Sequence, residues 1–125
     1  MERVVMVVMS KWQERALVSA QLQEEGYRIK SFPDIEVAAA YLCHAPVLPD
    51  AVVLDYRGLK ISVEKLKAFR LLLGDVPLVL CTAPYSRDQV AEEVLNPARI
   101  LVRPFTVGEV VEAIKGLLPL SPPTF

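Results

Sequence analysis

The order of its apolar and helix-forming segments constrains this chain more than any other feature. Five short apolar runs alternate with five segments that have helical periodicity. This alternation predicts a parallel sheet covered by helices, and runs without polar alternation are typical of strands buried on both faces. The predicted strands are Val4–Met9, Tyr27–Ser31, Ala51–Asp55, Leu78–Thr82 and Ile100–Val102.

Three of the intervening segments have clear apolar stripes at helical spacing. Right-handed crossovers between the strands would then place helices on both faces of the sheet, so we expect a doubly wound α/β domain of the (βα)5 type. The stripes are Ile35, Ala38, Ala39, Leu42 and Cys43 in the second helix, Val63, Leu66, Phe69 and Leu73 in the third, and Val107, Val110, Val111, Ile114 and Leu118 in the fifth.

Residues at the helix ends also have recognisable signals. Thr106 with Glu109 predicts a capping box at the start of the fifth helix, and Ser86 with Gln89 predicts the same for the fourth. Gly26 predicts the end of the first helix, and Ser10 is expected to be its N-cap.

Length and composition fit one domain over residues 1–120 with a proline-rich tail at 121–125. The net charge of −1 gives no field that would hold nucleic acid or an anionic membrane. The apolar run at 4–9 is far shorter than the roughly 20 residues that span a bilayer. Cys43 and Cys81 form no spaced framework, so we expect reduced core thiols in a cytoplasmic protein.

Functional groups in doubly wound sheets gather outside the carboxyl ends of the strands. Here those positions are occupied by Met9 and Ser10 after the first strand, Asp55 after the third, Thr82 after the fourth and Arg103 after the fifth. An aspartate, a hydroxyl and a cation are therefore expected to lie close together at one edge of the sheet.

In these residues the chain resembles the receiver domain of two-component response regulators, along nearly its whole length. The segment 49–55 resembles that family's third strand with its phosphoacceptor aspartate, here Asp55. Thr82-Ala83 matches its hydroxyl residue, and Arg103-Pro104-Phe105 matches its Lys-Pro-Phe turn. The resemblance implies a flavodoxin-like fold with strand order 2-1-3-4-5 and a cis peptide bond before Pro104.

The same comparison reveals departures at the metal site. A receiver holds magnesium with an acidic pair at the end of its first strand, and that pair falls on Met9 and Ser10 here, followed by Lys11. A thioether is too soft for magnesium and a neutral hydroxyl supplies no charge, so we expect no magnesium and no other cofactor. Because Arg103 replaces the lysine, our hypothesis is that it pairs permanently with Asp55, with Lys11 or Ser10 as further partners.

Other departures concern signalling. Ile100 stands where receivers have an aromatic switch residue, and the loop at 56–60 lacks the family's Met-Pro-Gly pattern. Trp12 is expected either to pack over the vacated acidic site or to form an exposed contact.

The leading interpretation is a pseudo-receiver: a non-enzymatic module that docks a signalling partner without magnesium-dependent aspartyl phosphorylation. Its expected docking surface is helix 4, strand 5 and helix 5, with Glu92 and Glu93 on one side, and a homodimer is open. One alternative is a working phosphoacceptor at Asp55, in which Glu14 or water recruits a weakly held metal. Another is a site for a small anion, held by Ser10, Thr82 and Arg103.

Overall fold

Five parallel strands form the centre of the fold in the computed structural model, which describes residues 2–57 and 61–120. Their order is β2-β1-β3-β4-β5, and all four pairings are parallel, as predicted. Three strands differ from their predicted bounds by one residue at one or both ends. The strands are β1 Val4–Val8, β2 Arg28–Phe32, β3 Ala51–Asp55, β4 Leu78–Thr82 and β5 Arg99–Val102.

Helices follow each strand in the chain and cover both faces of the sheet. The first and fifth pack on one face, and the second, third and fourth pack on the other. The predicted doubly wound α/β fold is confirmed. The helices are α1 Trp12–Glu24, α2 Ile35–His44, α3 Val63–Leu73, α4 Gln89–Leu95 and α5 Val107–Leu117, and a 3-10 turn, Pro84–Ser86, precedes α4.

Alternation along the strands divides the core in two, because successive side chains of a strand point to opposite faces of the sheet. Val5 and Val7 of β1 face α1 and α5, whereas Met6 and Val8 face α2, α3 and α4. Met9 continues the first set and is fully buried. The stripe predicted for α5 lies in the first core, and that of α3 lies mainly in the second.

A long-range hydrogen bond closes the α1 and α5 side of the molecule. The buried Tyr27, which directly precedes β2, donates its hydroxyl to the carbonyl oxygen of Leu118 at 2.6 Å. The two residues are 91 positions apart in sequence. The bond therefore joins the beginning of β2 to the end of α5.

Two of the three predicted N-caps are wrong. Thr106 does cap α5, since its hydroxyl accepts from the Glu109 N–H at 3.1 Å. Ser10 lies one residue too early, because Lys11 occupies the N-cap position of α1. Ser86 ends the 3-10 turn, where its hydroxyl bonds the backbone of Ala83.

The cap of α4 is supplied by an aspartate instead. The Asp88 carboxylate accepts from the Ala91 N–H at 3.1 Å. Pro84 begins the 3-10 turn, so the α-helix starts later than the Ser86 signal indicated.

One side chain, Cys43, is more exposed than the sequence suggested, and the exposure of another, Trp12, bears on two alternatives left open. Cys43 was expected in the α2 stripe but is exposed, because Ile35, Ala38 and Leu42 already supply the buried face. Cys81 is buried as expected. Trp12 is 65% exposed, which favours the exposed contact over the packed alternative.

At the amino end of the sheet, one arginine binds several backbone carbonyls. Arg70 of α3 donates to the carbonyl oxygens of Leu95 and Val76 at 2.8 Å, and to those of Gly74 and Asn96 at 3.2 Å. These four carbonyls follow or end α3 and α4, where backbone acceptors lack helical partners. One side chain therefore ties the ends of two helices together.

Within 2–57 and 61–120, no helix has both the length and the apolar content to cross a membrane. The predicted tail at 121–125 and the loop positions 58–60 lie outside the described residues.

Candidate functional site

Asp55 is the last residue of β3 and lies at the carboxyl edge of the sheet. By strand alternation it lies on the same side as Ala51 and Val53, which face α1 and α5. Its side chain is only 1% exposed. An isolated buried carboxylate is costly, so its partners decide what it can do.

Both oxygens of the Asp55 carboxylate are bonded by arginines. Arg103, just after β5, donates from Nη1 to Oδ1 at 2.9 Å. Arg57, two residues after Asp55, donates from Nε to Oδ2 at 2.7 Å. The predicted pairing of Arg103 with Asp55 is therefore present, and both carboxylate oxygens are occupied.

A second carboxylate closes the arrangement. Glu14, in the first turn of α1, accepts from Arg57 Nη2 at 2.8 Å and from Arg103 Nη2 at 2.5 Å. We call these four residues, Glu14, Asp55, Arg57 and Arg103, the charge ring. Anions and cations alternate around the ring. Because there are two of each, its formal charge is zero.

The surroundings of Arg57 favour its ionised form. Burial lowers the pKa of Arg57, but the hydrogen bond and charge of Asp55, followed by the charge of Glu14, outweigh it and raise the pKa above its ordinary value. The guanidinium of Arg103 also lies 4.8 Å from the centroid of the Phe105 ring, a cation–π contact. Each guanidinium uses two donors on two different carboxylates, a geometry that a lysine ammonium does not reproduce.

Arg57 is the residue that sequence reasoning missed. Its loop was noted only for lacking a family pattern, although a cation two residues after a buried aspartate was a usable signal. Lys11 and Ser10, the other expected partners, are exposed. Among the described residues, the bonds to Asp55 come from Arg57 and Arg103. Glu14, expected only as a weak metal recruiter, is a full member of the ring.

Thr82, the hydroxyl counterpart in the resemblance, has a different partner. It follows Leu78 and Leu80, which face α2, α3 and α4, so its side chain is directed away from the face of Asp55. Its hydroxyl lies 3.3 Å from the Ser86 hydroxyl in a buried contact. The structure thus brings Asp55 and Arg103 together but leaves Thr82 in a separate neutral pair with Ser86.

Neighbours of the ring extend this edge toward α4. Tyr56 is buried and donates its hydroxyl to the Asp88 carboxylate at 3.0 Å. Burial, and then the hydrogen bond and charge of Asp88, raise the pKa of Tyr56. The Ala91 N–H, followed by the Tyr56 hydroxyl, lowers the pKa of Asp88. The strand end that carries Asp55 is therefore linked to the first turn of α4.

Cys81 pairs with Asp55 in the β3–β4 register and faces the same side. Burial, and then the charge of Asp55, raises the pKa of its thiol to about 12. The thiolate is the reactive form of cysteine, so this buried thiol is not equipped to act as a nucleophile at neutral pH.

The residues at this edge do not fit a magnesium ion. Met9 is fully buried in the core, and Ser10 is an exposed hydroxyl. The carboxylates of the charge ring, Glu14 and Asp55, each accept from two guanidiniums. Magnesium binds through carboxylate oxygens, and here the two guanidiniums already occupy those oxygens and would repel the metal ion. In the described part of the chain, no three His, Cys, Asp or Glu residues are grouped to hold a metal.

The turn after β5 agrees with the resemblance. The Arg103–Pro104 peptide bond is cis, as expected, and Pro104 itself is exposed. The turn places Arg103 beside Asp55, with Phe105 beneath its guanidinium.

Solved structures of receiver domains superpose on most of the chain. The chemotaxis response regulator CheY4 of Vibrio cholerae is 19% identical with a TM-score of 0.76, covering 94% of this chain and 100% of that one. A putative response regulator from Chloroflexus aurantiacus is 21% identical with a TM-score of 0.74, covering 96% and 100%. The Francisella response regulator 1452 receiver domain is 18% identical with a TM-score of 0.73, covering 93% and 96%.

Sequence comparison alone gives no such likeness, since no protein-family model matches and no curated protein matches. At these identities the structural agreement speaks for the architecture. The chain has the fold of response regulator receiver domains.

Proposed function

We propose that this protein is a pseudo-receiver: a non-enzymatic, cytoplasmic signalling module that docks a partner protein without phosphorylation of Asp55. The observation that carries the proposal is the double arginine contact of the Asp55 carboxylate. A carboxylate attacks phosphorus through an oxygen lone pair, and pairing with a cation weakens that oxygen as a nucleophile. Both oxygens of Asp55 accept from guanidiniums.

The electrostatics support the same proposal. Transfer of a phosphoryl group to a carboxylate brings two anions together, and active receivers relieve the repulsion with a metal ion. In this chain the cations beside Asp55 are two guanidiniums, and Asp55 and Glu14 together already neutralise them. An incoming phosphodonor would have to displace Glu14 without help from a metal.

The proposed docking surface is formed by α4, β5 and α5. Val90 of α4 and Ile100 of β5 are 52% and 37% exposed, which leaves apolar area for a partner. Glu92 is paired with Arg87 at 2.6 and 2.7 Å, whereas the exposed Glu93 accepts only from the neutral amide of Gln89 among the described residues, so its charge is uncompensated on that side of the surface. The surface is thus less acidic than the sequence alone suggested.

The alternatives find less support in the geometry. A working phosphoacceptor needs Glu14 to recruit a metal, but Glu14 binds Arg57 and Arg103. A small-anion site needs donors from Ser10, Thr82 and Arg103. Thr82 and Arg103 already have partners within the chain, and Ser10 is exposed.

Phosphorylation can be tested directly. The protein is incubated with magnesium and acetyl phosphate, or with beryllofluoride, and intact mass and amide NMR spectra are recorded. We expect an unchanged mass and unchanged amide shifts near Asp55. The matched control is Asp55→Asn, which removes the acceptor, and an active receiver domain serves as the positive control. A phosphoryl adduct in the wild type that is lost in Asp55→Asn would overturn the proposal.

A further inference from the structure

Strand β2 forms one edge of the sheet and pairs with β1 on one side only. The Arg28 N–H donates to the Arg3 carbonyl oxygen at 2.9 Å, and the Phe32 carbonyl oxygen accepts from the Met9 N–H at 3.1 Å. In a parallel ladder the backbone groups of alternate residues point the same way. The first, third and fifth residues of β2 therefore direct their backbone groups toward β1.

The two residues between them, Ile29 and Ser31, point their N–H and C=O groups to the free edge. These groups have no hydrogen-bond partner within residues 2–57 and 61–120. Another extended backbone supplies the complementary acceptors and donors, so an edge of this kind can pair with an added strand.

A groove of about 140 Å³ lies beside this edge, on the side of the sheet that carries α2. Met6 of β1 and Tyr41 of α2 line it, together with Val47 and Leu48, which are 76% and 43% exposed. Sites for drug-sized molecules occupy about 300–1,000 Å³. This groove instead has room for a single large apolar side chain, such as one on an added strand.

The charge beside the groove is positive. Arg28 and Lys30 line it, and none of its described lining residues is acidic. Arg28 is paired with Glu2 at 3.2 Å. The half-buried Lys30 forms no salt bridge in the described part of the chain. Opposite charges on neighbouring strands stabilise their pairing, so Lys30 favours a carboxylate on whatever lies along β2.

A second copy of β2 fits this edge less well. Antiparallel pairing about a twofold axis at Lys30 would place Lys30 opposite itself, and an axis at Ile29 would place it opposite Arg28. Like charges directly opposite each other destabilise a sheet. Lysine on an edge strand is also a common protection against self-association.

We propose that β2 binds an extended acidic segment of a partner protein, which adds to the sheet as a sixth strand. One apolar side chain of the segment fills the groove. A carboxylate two residues away, on the same side of the added strand, pairs with Lys30. The surface lies at the opposite edge of the sheet from β5, so it is distinct from the surface of α4, β5 and α5.

A peptide tests the added strand. The probe is a capped eight-residue peptide with threonine at odd positions and valine, leucine, glutamate and valine at even positions. Its titration into isotope-labelled protein should shift the amide NMR signals of Ile29 and Val47 in a saturable way. Ser31→Pro removes an outward N–H without touching the β1 ladder and should abolish these shifts. The matched control, Ser31→Ala, keeps the N–H and should bind like the wild type.

The groove is tested without changing the strand. Val47→Glu removes an apolar wall and adds a charge that repels the peptide, so we expect binding to weaken about tenfold. The matched control is Leu71→Glu, since Leu71 is 82% exposed on α3, and it should change little. Equal losses in the two variants would contradict a role for the groove.

Charge exchange tests the acidic character of the partner. Lys30→Glu should weaken binding about fivefold, and a peptide with lysine in place of glutamate should recover it. Equal affinity of the two peptides for Lys30→Glu would contradict the proposed pairing.

Two further outcomes would overturn the proposal. One is the absence of saturable shifts along β2 at millimolar peptide, or equal binding by Ser31→Pro and Ser31→Ala. The other is shifts along β2 that follow protein concentration instead of peptide, which would assign the edge to a second copy. None of these outcomes depends on whether Asp55 can be phosphorylated.

Discussion

The two ends of the sheet bind half-buried arginines in opposite ways. At the carboxyl edge, Arg57 and Arg103 are bound by carboxylates. At the amino edge, Arg70 is bound by four backbone carbonyl oxygens, which are dipoles without net charge. The pKa values follow this difference: burial lowers that of Arg70 below its ordinary value, whereas the carboxylates raise that of Arg57.

At the carboxyl edge the arginines compensate the charge of carboxylates, whereas at the amino edge Arg70 only satisfies the hydrogen bonds of carbonyls. The carboxyl edge contains a buried anion that needs its cations, so removing an arginine there leaves an unbalanced charge. The amino edge contains no buried anion, so removing Arg70 leaves unsatisfied carbonyls. Substitutions at the two ends should therefore differ in the size of their effect and in their response to salt.

The largest effect is expected at the charge ring. Arg103→Met leaves Asp55 with one cation, and we expect the free energy of unfolding to fall by about 2–3 kcal/mol. Urea unfolding followed by circular dichroism measures it. Arg99→Met, which removes an exposed arginine from β5, is the control and should change little. A loss for Arg103→Met no larger than for Arg99→Met would show that the ring does not stabilise the fold.

A smaller effect is expected at the amino edge. Arg70→Met removes donors from four carbonyls, some of which can bind water instead, so we expect a loss of about 1–2 kcal/mol. Those partners are uncharged, and Asp75, whose charge also acts on Arg70, forms no salt bridge with it in the described residues, so the loss should change little between high and low salt. A loss that falls steeply with added salt would mean that Arg70 acts mainly as a charge, and the contrast between the two edges would fail.

The smallest effect is expected at the cap of α4. Asp88→Asn keeps a capping side chain but removes the charge, and at neutral pH we expect a loss of about 0.5 kcal/mol. The folded protein lowers the pKa of Asp88 below its ordinary 3.8. Its stabilisation is therefore complete above that value and is lost as the pH falls through the folded-state pKa.

Unfolding of the wild type and of Asp88→Asn across acidic pH measures this difference. The two stabilities should converge at the lowest pH, where Asp88 is protonated in both the folded and the unfolded state. A difference that grows as the pH falls would contradict the lowered pKa.

The sequence predicted the sheet well because strand burial and helix periodicity are local patterns. Ala51–Asp55 and Leu78–Thr82 have the predicted bounds. The strand order, which the resemblance implied, was also confirmed. The start of the edge strand β5 was predicted one residue too late, because Arg99 is polar and exposed although it pairs with β4.

The site was predicted less completely, because its partners come from four separate segments. Asp55 and Arg103 were identified by their positions at strand ends. Arg57 and Glu14 were not, since their roles depend on side-chain directions that spacing alone does not give. Thr82 was assigned by position, but strand alternation, which is readable from the sequence, already placed it on the opposite face from Asp55.

The hydrogen bond between Tyr27 and Leu118 has a consequence for synthesis on the ribosome. The core beneath α2, α3 and α4 uses residues no later than Leu95, so it can assemble before the last part of the chain is made. The core beneath α1 and α5 needs Val110, Ile114 and Leu118. The apolar side of α1 therefore stays exposed to solvent until α5 has been synthesised. During this interval the nascent chain is most prone to chaperone binding or misassembly.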